Sequence, residues 1–258
     1  MMLLSSRQVT KRFGGLEAIH SLDVDIQEHS ISSIIGPNGA GKTTFFNCVT
    51  GYYQPEIGTI SFKEQPINRL PPNEIANLGI SRTYQNIRLF ANLTTLENIL
   101  SGYHSSQHSN LADVLLASSR QNREDRQALG EAERILEFCG LKGLGDHLAH
   151  NLPYGAQRRL EIARALANQP ALLLLDEPSA GMNPTEIQEM MKLIRTLRDE
   201  LGITILLIEH HVNLVMKISE KVTVLDFGRK IAEGKPQEIQ HNPKVIKAYL
   251  GRAAEKAL

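Results

Sequence analysis

The sequence predicts an α/β fold: a mostly parallel sheet, an antiparallel β subdomain near the N-terminus and a helical subdomain inserted into the core. Three observations predict it. Short strand patterns fill residues 7–62. Helical periodicity takes over between residues 86 and 167. Two stretches that read as buried strands, Ile31–Ile35 and Ala171–Leu175, end in a glycine-rich loop and in paired acids. Parallel strands end in this way where ligands sit at their carboxyl edge. The expected division of the 258 residues is a single domain. Within it, residues 1–85 and 168–258 form the core with its β subdomain, and residues 86–167 form the helical subdomain.

The most informative stretch is Gly36-Pro37-Asn38-Gly39-Ala40-Gly41-Lys42-Thr43, which fits the spacing G-x-x-x-x-G-K-[ST]. A strand before it and a helix after it, from Thr44 to Val49, give the context that separates a phosphate loop from a chance match. Glycines let backbone N–H groups converge on one point, and the helix N-terminus adds partial positive charge there. Lys42 then reaches the β- and γ-phosphates, and the Thr43 hydroxyl suits Mg²⁺. A glycine-rich turn with a solvated lysine is the bland alternative, and the agreement of loop with context outweighs it. The expected fold is therefore a phosphate-loop NTPase core that binds a nucleoside triphosphate.

Composition narrows the rest. Hydrophobic content of 41% and charged content of 22% are ordinary for a globular chain. Lys plus Arg equals Asp plus Glu at 28 each, so no overall attraction to nucleic acid is expected. The two cysteines, Cys48 and Cys139, have no metal-ligand spacing and fit a reducing interior. The longest apolar runs fall short of a membrane span, and the first residues lack a signal-peptide core. If a membrane is involved, another chain is expected to cross it.

In chain order, Val9–Phe13, Ala18–Ile26 and Gly58–Phe62 read as strands, with Leu22, Val24 and Ile26 alternating against Asp23, Asp25 and Gln27. Phe13 lies 23 positions before Gly36; spacing alone favours a core role over stacking on a base. A short helix is expected from Leu70 to Gly79. Ile80–Gln85 reads as a strand ending on an amide, with Gln85 equally able to position a metal or water or to sit on the surface. Leu96, Ile99 and Leu100, then Ala128, Ala132, Ile135, Leu136 and Cys139, recur at helical spacing. The linker His104–Asn110 is rich in Ser, His and Gln, and Arg120–Arg126 reads as a solvated helix face. His147 and His150 lack a third ligand at metal spacing and read as surface residues.

Gly155, before a helix over Arg158–Ala167, is a possible anion site. The run from Ala171 ends in Asp176 and Glu177. Asp176 suits Mg²⁺, and Glu177, facing the other way, can orient or deprotonate an attacking water. Asn183-Pro184-Thr185-Glu186 is a capped helix start, with Ile187, Met190, Met191, Ile194, Leu197 and Leu201 as the buried stripe and Gly202 as the stop. The strand Ile203–Ile208 leads into Glu209, His210 and His211, where one histidine can reach a γ-phosphate. Val222–Leu225 and Lys230–Ala232 flank Asp226-Phe227-Gly228-Arg229 as a hairpin. That Asp-Phe-Gly is no kinase signature, because the catalytic-loop pattern is missing. A helix from Pro243 to Tyr249 ends the pattern.

Taken in order, the loop Gly36–Thr43, Gln85, Leu152–Gln157, Leu172–Glu177, Ser179-Ala180-Gly181-Met182 and His210 resemble the Walker A, Q-loop, signature, Walker B, D-loop and switch histidine of ABC transporter ATP-binding subunits. The resemblance implies roles. Phe13 would stack on adenine, against its core reading. Gly36, Pro37, Asn38, Gly39, Ala40, Gly41, Lys42, Thr43 and Thr44 would hold ATP, with Gly155 contributing from a second subunit. Thr43, Gln85 and Asp176 would serve Mg²⁺. Glu177, His210 and Gln85 would be catalytic.

One departure stands out: Pro153 and Tyr154 replace Ser and the first Gly of the usual Leu-Ser-Gly-Gly-Gln, so the serine contact to the γ-phosphate is lost and the Gly155 N–H remains. The usual His-Asp pair is His210-His211 here. The signature form, Phe13-Gly14-Gly15-Leu16, Ile80–Phe90 and Leu207–His210 are similar to the ATPases of bacterial branched-chain amino-acid importers. That implies a sister or identical ATPase subunit, two integral membrane permease subunits and an external substrate-binding protein. It also implies a peripheral position on the cytoplasmic face of the bacterial inner membrane. An ATPase for another cargo (urea, short amides or a lipid) stays open. A soluble ATPase acting on ribosomes or nucleic acid fits less well, since one phosphate loop and no sustained heptads are present.

Overall fold

In a computed structural model, described over residues 1–105 and 119–255, two sheets organise the chain. The first is antiparallel, in the order β2-β1-β4-β5, from β1 (Met2–Phe13), β2 (Leu16–Gln27), β4 (Ile57–Phe62) and β5 (Gln65–Pro66). The second has the order β10-β9-β3-β8-β7-β6, from β3 (Ile31–Ile35), β6 (Ile80–Arg82), β7 (Leu172–Asp176), β8 (Thr204–Ile208), β9 (Lys221–Asp226) and β10 (Arg229–Gly234). Its strands pair in parallel except for the β9–β10 hairpin. The α/β class and the antiparallel subdomain follow the sequence prediction.

Burial explains why these segments became strands. Every residue of β3, β7 and β8 is buried, so both faces of the parallel sheet are covered. Leu173 and Leu175 face one core cluster with the helices, while Leu172 and Leu174 face the cluster shared with the antiparallel sheet. Each such leucine removed from water contributes about 1.5–3 kcal/mol. In β2 the predicted alternation is realised, with Leu22, Val24 and Ile26 buried.

The helices are α1 (Lys42–Val49), α2 (Pro72–Asn77), α3 (Thr95–Leu100), α4 (Ser119–Phe138), α5 (Tyr154–Leu166), α6 (Pro184–Leu201), α7 (Val212–Ile218), α8 (Pro236–Gln240) and α9 (Pro243–Glu255). Their ends are chemically specified. The Asn183 side chain accepts from the N–H groups of Thr185 and Glu186 at 3.0 Å each, and Glu186 accepts from the Asn183 N–H at 2.9 Å. Gly202 then ends α6 in the left-handed region at φ 65°, where a Cβ is strained. Ala132, Leu136 and Cys139 are buried at the predicted spacing. His147 and His150 are exposed. The linker His104–Asn110 lies largely outside the described residues, and Arg120–Arg126 fall within α4.

Three expectations need correction. The strand starting at Ile80 ends at Arg82, not at Gln85, because only Ile80–Arg82 pair with β7; the Thr83 N–H donates to Leu174 O, and the chain then leaves the sheet. Leu201 is half exposed, since it falls on the last turn of α6 beyond the covered stripe. Phe13, which spacing placed in the core, is 41% exposed at the β1–β2 turn. Helices α7 and α8 were not anticipated.

Candidate functional site

Four parallel strands deliver the predicted residues to one edge. Strand β3 leads into the glycine-rich loop, β6 toward Gln85, β7 into Glu177 and β8 toward His210. Together they border a cavity of about 720 Å³ lined by Asn38 through Thr44, Gln85, Glu177 and His210, with Phe13 at its margin. A volume of this size suits a nucleotide-sized ligand.

The loop is built around positions where a side chain has no room. A Cβ on Gly36 would lie 2.1 Å from Leu225 O, and one on Gly41 2.5 Å from Ala18 O. Lys42 is buried, and its ammonium donates to the carbonyls of Gly36 at 2.7 Å and Pro37 at 3.0 Å. Those two residues thus support the lysine from beneath and do not line the cavity.

In the same cavity the Glu177 carboxylate is approached on both oxygens. Gln85 Nε2 donates to Oε2 at 2.9 Å, and His210 Nε2 lies 2.6 Å from Oε1. Glu177 itself sits at φ 52°, an uncommon conformation for a residue with a Cβ, which costs about 1 kcal/mol. The turn sends its carboxylate into the cavity while the preceding Asp176 points inward.

Asp176 is 1% exposed. Arg82 Nη2 donates to its Oδ2 at 2.8 Å, whereas Oδ1 is buried with no hydrogen-bond partner. Burial pushes the Asp176 carboxyl above its ordinary value, and the Arg82 guanidinium opposes that rise. An orphaned buried carboxylate oxygen at the end of β7 is a donor suited to a hard cation, and the Thr43 hydroxyl and Gln85 amide of the cavity lining are oxygen donors of the same kind. Among the described residues no group of three or more His, Cys, Asp or Glu side chains forms a metal cluster. The residues present fit Mg²⁺ held jointly by protein and phosphate oxygens.

Sequence reasoning missed three supporting residues. Arg82 lies between the Phe46 and Tyr84 rings, 5.4 and 5.1 Å from their centroids, and also donates to Asn47 Oδ1 at 2.6 Å. Arg158 donates to the carbonyls of Tyr84 at 2.9 Å and Gln85 at 2.5 Å and to the Tyr154 hydroxyl, tying α5 to the Gln85 loop. Glu209, 1% exposed, accepts from the Ser179 N–H and hydroxyl on one oxygen and from the N–H groups of His210 and His211 on the other. One buried carboxylate thereby holds the Ser179–Met182 loop to the loop carrying His210. A charged group at the end of an apolar strand was the available signal in each of Arg82 and Glu209.

Gly155 is not brought to this cavity. It is buried at the start of α5, where a Cβ would meet Glu186 Oε1 at 2.7 Å. Tyr154 packs beside Gly181, so one of the two unusual signature residues touches the loop after β7.

The fold and the site together define an ATP-binding cassette. The chain belongs to the ABC transporter family, whose model matches residues 19–180, and so to the ATP-binding, ATPase subunits of transporters. A model described as branched-chain amino acid ATP-binding cassette transporter matches residues 229–255. Over 251 residues the chain is 47% identical to the high-affinity branched-chain amino acid transport ATP-binding protein LivG of Salmonella typhimurium, covering 97% of this chain and 98% of that protein. It is 45% identical to BraF of Pseudomonas aeruginosa, a protein of the same description, over 97% and 98%. Among solved structures, a nucleotide-free ATP-binding cassette from an ABC transporter aligns with TM-score 0.85 at 30% identity, covering 96% of this chain and 99% of that one. The family, fold and ATPase class expected from the motifs are those found.

Proposed function

We propose that this chain is the ATP-binding and hydrolysing subunit of an importer for branched-chain amino acids. The observation that carries the chemistry is the Glu177 carboxylate, held by Gln85 and His210 at the mouth of the phosphate loop. The near full-length likeness to LivG and BraF supports the cargo.

In this reading Asn38 through Thr44 cradle the phosphates on a loop shaped by Gly36 and Pro37, Phe13 stacks on adenine and Lys42 shifts from its two carbonyls to the β- and γ-phosphates. Thr43, Gln85 and Asp176 hold Mg²⁺, directly or through water, with Asp176 Oδ1 as the available oxygen. Bound Mg²⁺ supplies positive charge that stabilises the phosphoryl oxygens. Glu177 orients water for attack on the γ-phosphorus and draws its proton, and His210 donates to a γ-phosphate oxygen. The bond from γ-phosphorus to its bridging oxygen breaks, leaving ADP and phosphate. Positioning and charge stabilisation supply most of the rate, as phosphoryl transfer requires.

Gly155 contributes to the ATP of a second cassette, sister or identical, which accounts for its place outside the cavity of its own chain. The helical subdomain, residues 86–167, transmits the change to two membrane permeases fed by an external binding protein. Among the described residues no helix is long and apolar enough to cross a membrane. The proposed position, from the likeness to transporter ATP-binding subunits, is peripheral, on the cytoplasmic face of the bacterial inner membrane. A groove lined by Tyr52, Arg82, Tyr84, Phe90 and Arg164 beside the Gln85 loop, with Tyr52 and Phe90 exposed, supports docking of such a partner.

The test is affinity purification of the tagged chain from detergent-solubilised native membranes. Two polytopic membrane proteins and a cassette ATPase should co-elute in fixed proportion. Elution with ribosomal subunits, or alone, would oppose the transporter assignment.

A further inference from the structure

The Asp226–Arg229 hairpin turn, which the ATPase roles leave unused, carries a residue poorly suited to it. Asp226 and Arg229 pair, so Phe227 and Gly228 form a two-residue turn, with φ 43° and 76°. Two central residues with positive φ favour Asn-Gly or Asp-Gly, and a bulky aromatic at the first is an outlier. Phe227 is moreover 74% exposed. An exposed aromatic held in a strained turn is the kind of outlier from which a functional role can be argued.

The turn's position supplies that role. The Gly228 N–H donates to Ala40 O at 3.1 Å, and the His20 N–H donates to Gly228 O at 2.9 Å, so the hairpin is fastened to both the phosphate loop and β2. A Cβ on Gly228 would lie 2.7 Å from Ala18 O, which fixes glycine there and leaves Phe227 as the variable position. Phe227 lines the same cavity as Phe13 and Leu16, and all three are exposed large apolar side chains. The phosphate loop is polar, so this apolar trio marks where the base and ribose of a nucleotide lie.

We propose that Phe227 is a second aromatic contact for the nucleoside end of the bound nucleotide, supplied by the β9–β10 hairpin in addition to Phe13. This rests on the cavity being the nucleotide site. The left-handed strain at Phe227 is offset when nucleotide covers the ring.

The chain contains no tryptophan, so Phe227→Trp places a lone reporter at the turn. ATP should quench or shift its emission, and inorganic tripolyphosphate should not. In parallel, Phe227→Asn suits the turn and should keep or raise Tm, while weakening ATP and ADP binding about 5–10-fold, the lower end of the range for base–aromatic stacking. Tripolyphosphate affinity should stay unchanged. ATP affinity within twofold of wild type would overturn the proposal. Equal losses for ATP and tripolyphosphate would also overturn it, because they would mean that the turn merely supports the loop through Ala40. Wild-type protein that fails to bind ATP would instead contradict the site itself.

Discussion

Glu177→Gln is expected to lower steady-state ATP hydrolysis at least 100-fold, at the lower end of what a positioned general base contributes, roughly 10²–10⁴. The reason lies in the two polar contacts to its carboxylate. Gln85 Nε2 donates to one oxygen and His210 Nε2 faces the other. An amide accepts from only one of them and presents N–H to the other, so it neither draws a proton from water nor holds both neighbours as before. The groups that bind phosphate are untouched, and ATP affinity should remain within a few-fold of wild type. With turnover blocked and binding intact, ATP should accumulate the two-cassette form, visible by size-exclusion chromatography. Phosphate release at the wild-type rate would remove Glu177 from its role.

Lys42→Ala is expected to weaken ATP binding by about 10–100-fold, because charge-assisted hydrogen bonds contribute roughly 1.5–3 kcal/mol each. The lysine is 6% exposed and held at the bottom of the loop, so its charge acts on phosphate in a poorly solvated setting. Alanine also removes the ammonium donor from the Gly36 and Pro37 carbonyls, of which Pro37 O keeps the Ala40 N–H. Isothermal titration with ATP measures the effect directly, and circular dichroism shows whether the fold is kept. Wild-type affinity in a folded variant would contradict the assignment of the loop.

What the sequence carried most plainly was local. The phosphate loop needs glycine at Gly36 and Gly41 for steric reasons, and those glycines stand at fixed spacing in the chain. The capping of α6 by Asn183 and Glu186 is likewise written in four consecutive residues. Long-range partners were not legible. Arg82 and Asp176 are 94 positions apart, and Ser179 and Glu209 are 30 apart; only the adjacency of strands in the sheet brings them together. The same limit misplaced the end of β6, since the length of its β7 partnership cannot be read from Ile80–Gln85 alone. Spacing alone misplaces Phe13 in the core for a related reason, whereas the family resemblance puts it at the nucleotide. Its spacing matches that of a core residue, and its exposure depends on where the β1–β2 turn projects. Of the candidate site, Lys42, Glu177, His210 and Gln85 converge as the motifs implied, whereas Gly155 does not belong to the cavity of its own chain.

Uptake of labelled leucine, isoleucine and valine tests the central claim most directly, in cells lacking this gene and complemented with wild type or Glu177→Gln. Uptake restored by wild type alone is the predicted result, because cargo movement then requires hydrolysis at this site. Uptake indifferent to the deletion, with redundant transporters removed, would contradict the proposed cargo. Restoration by the Glu177→Gln variant would contradict the proposed coupling of hydrolysis to transport.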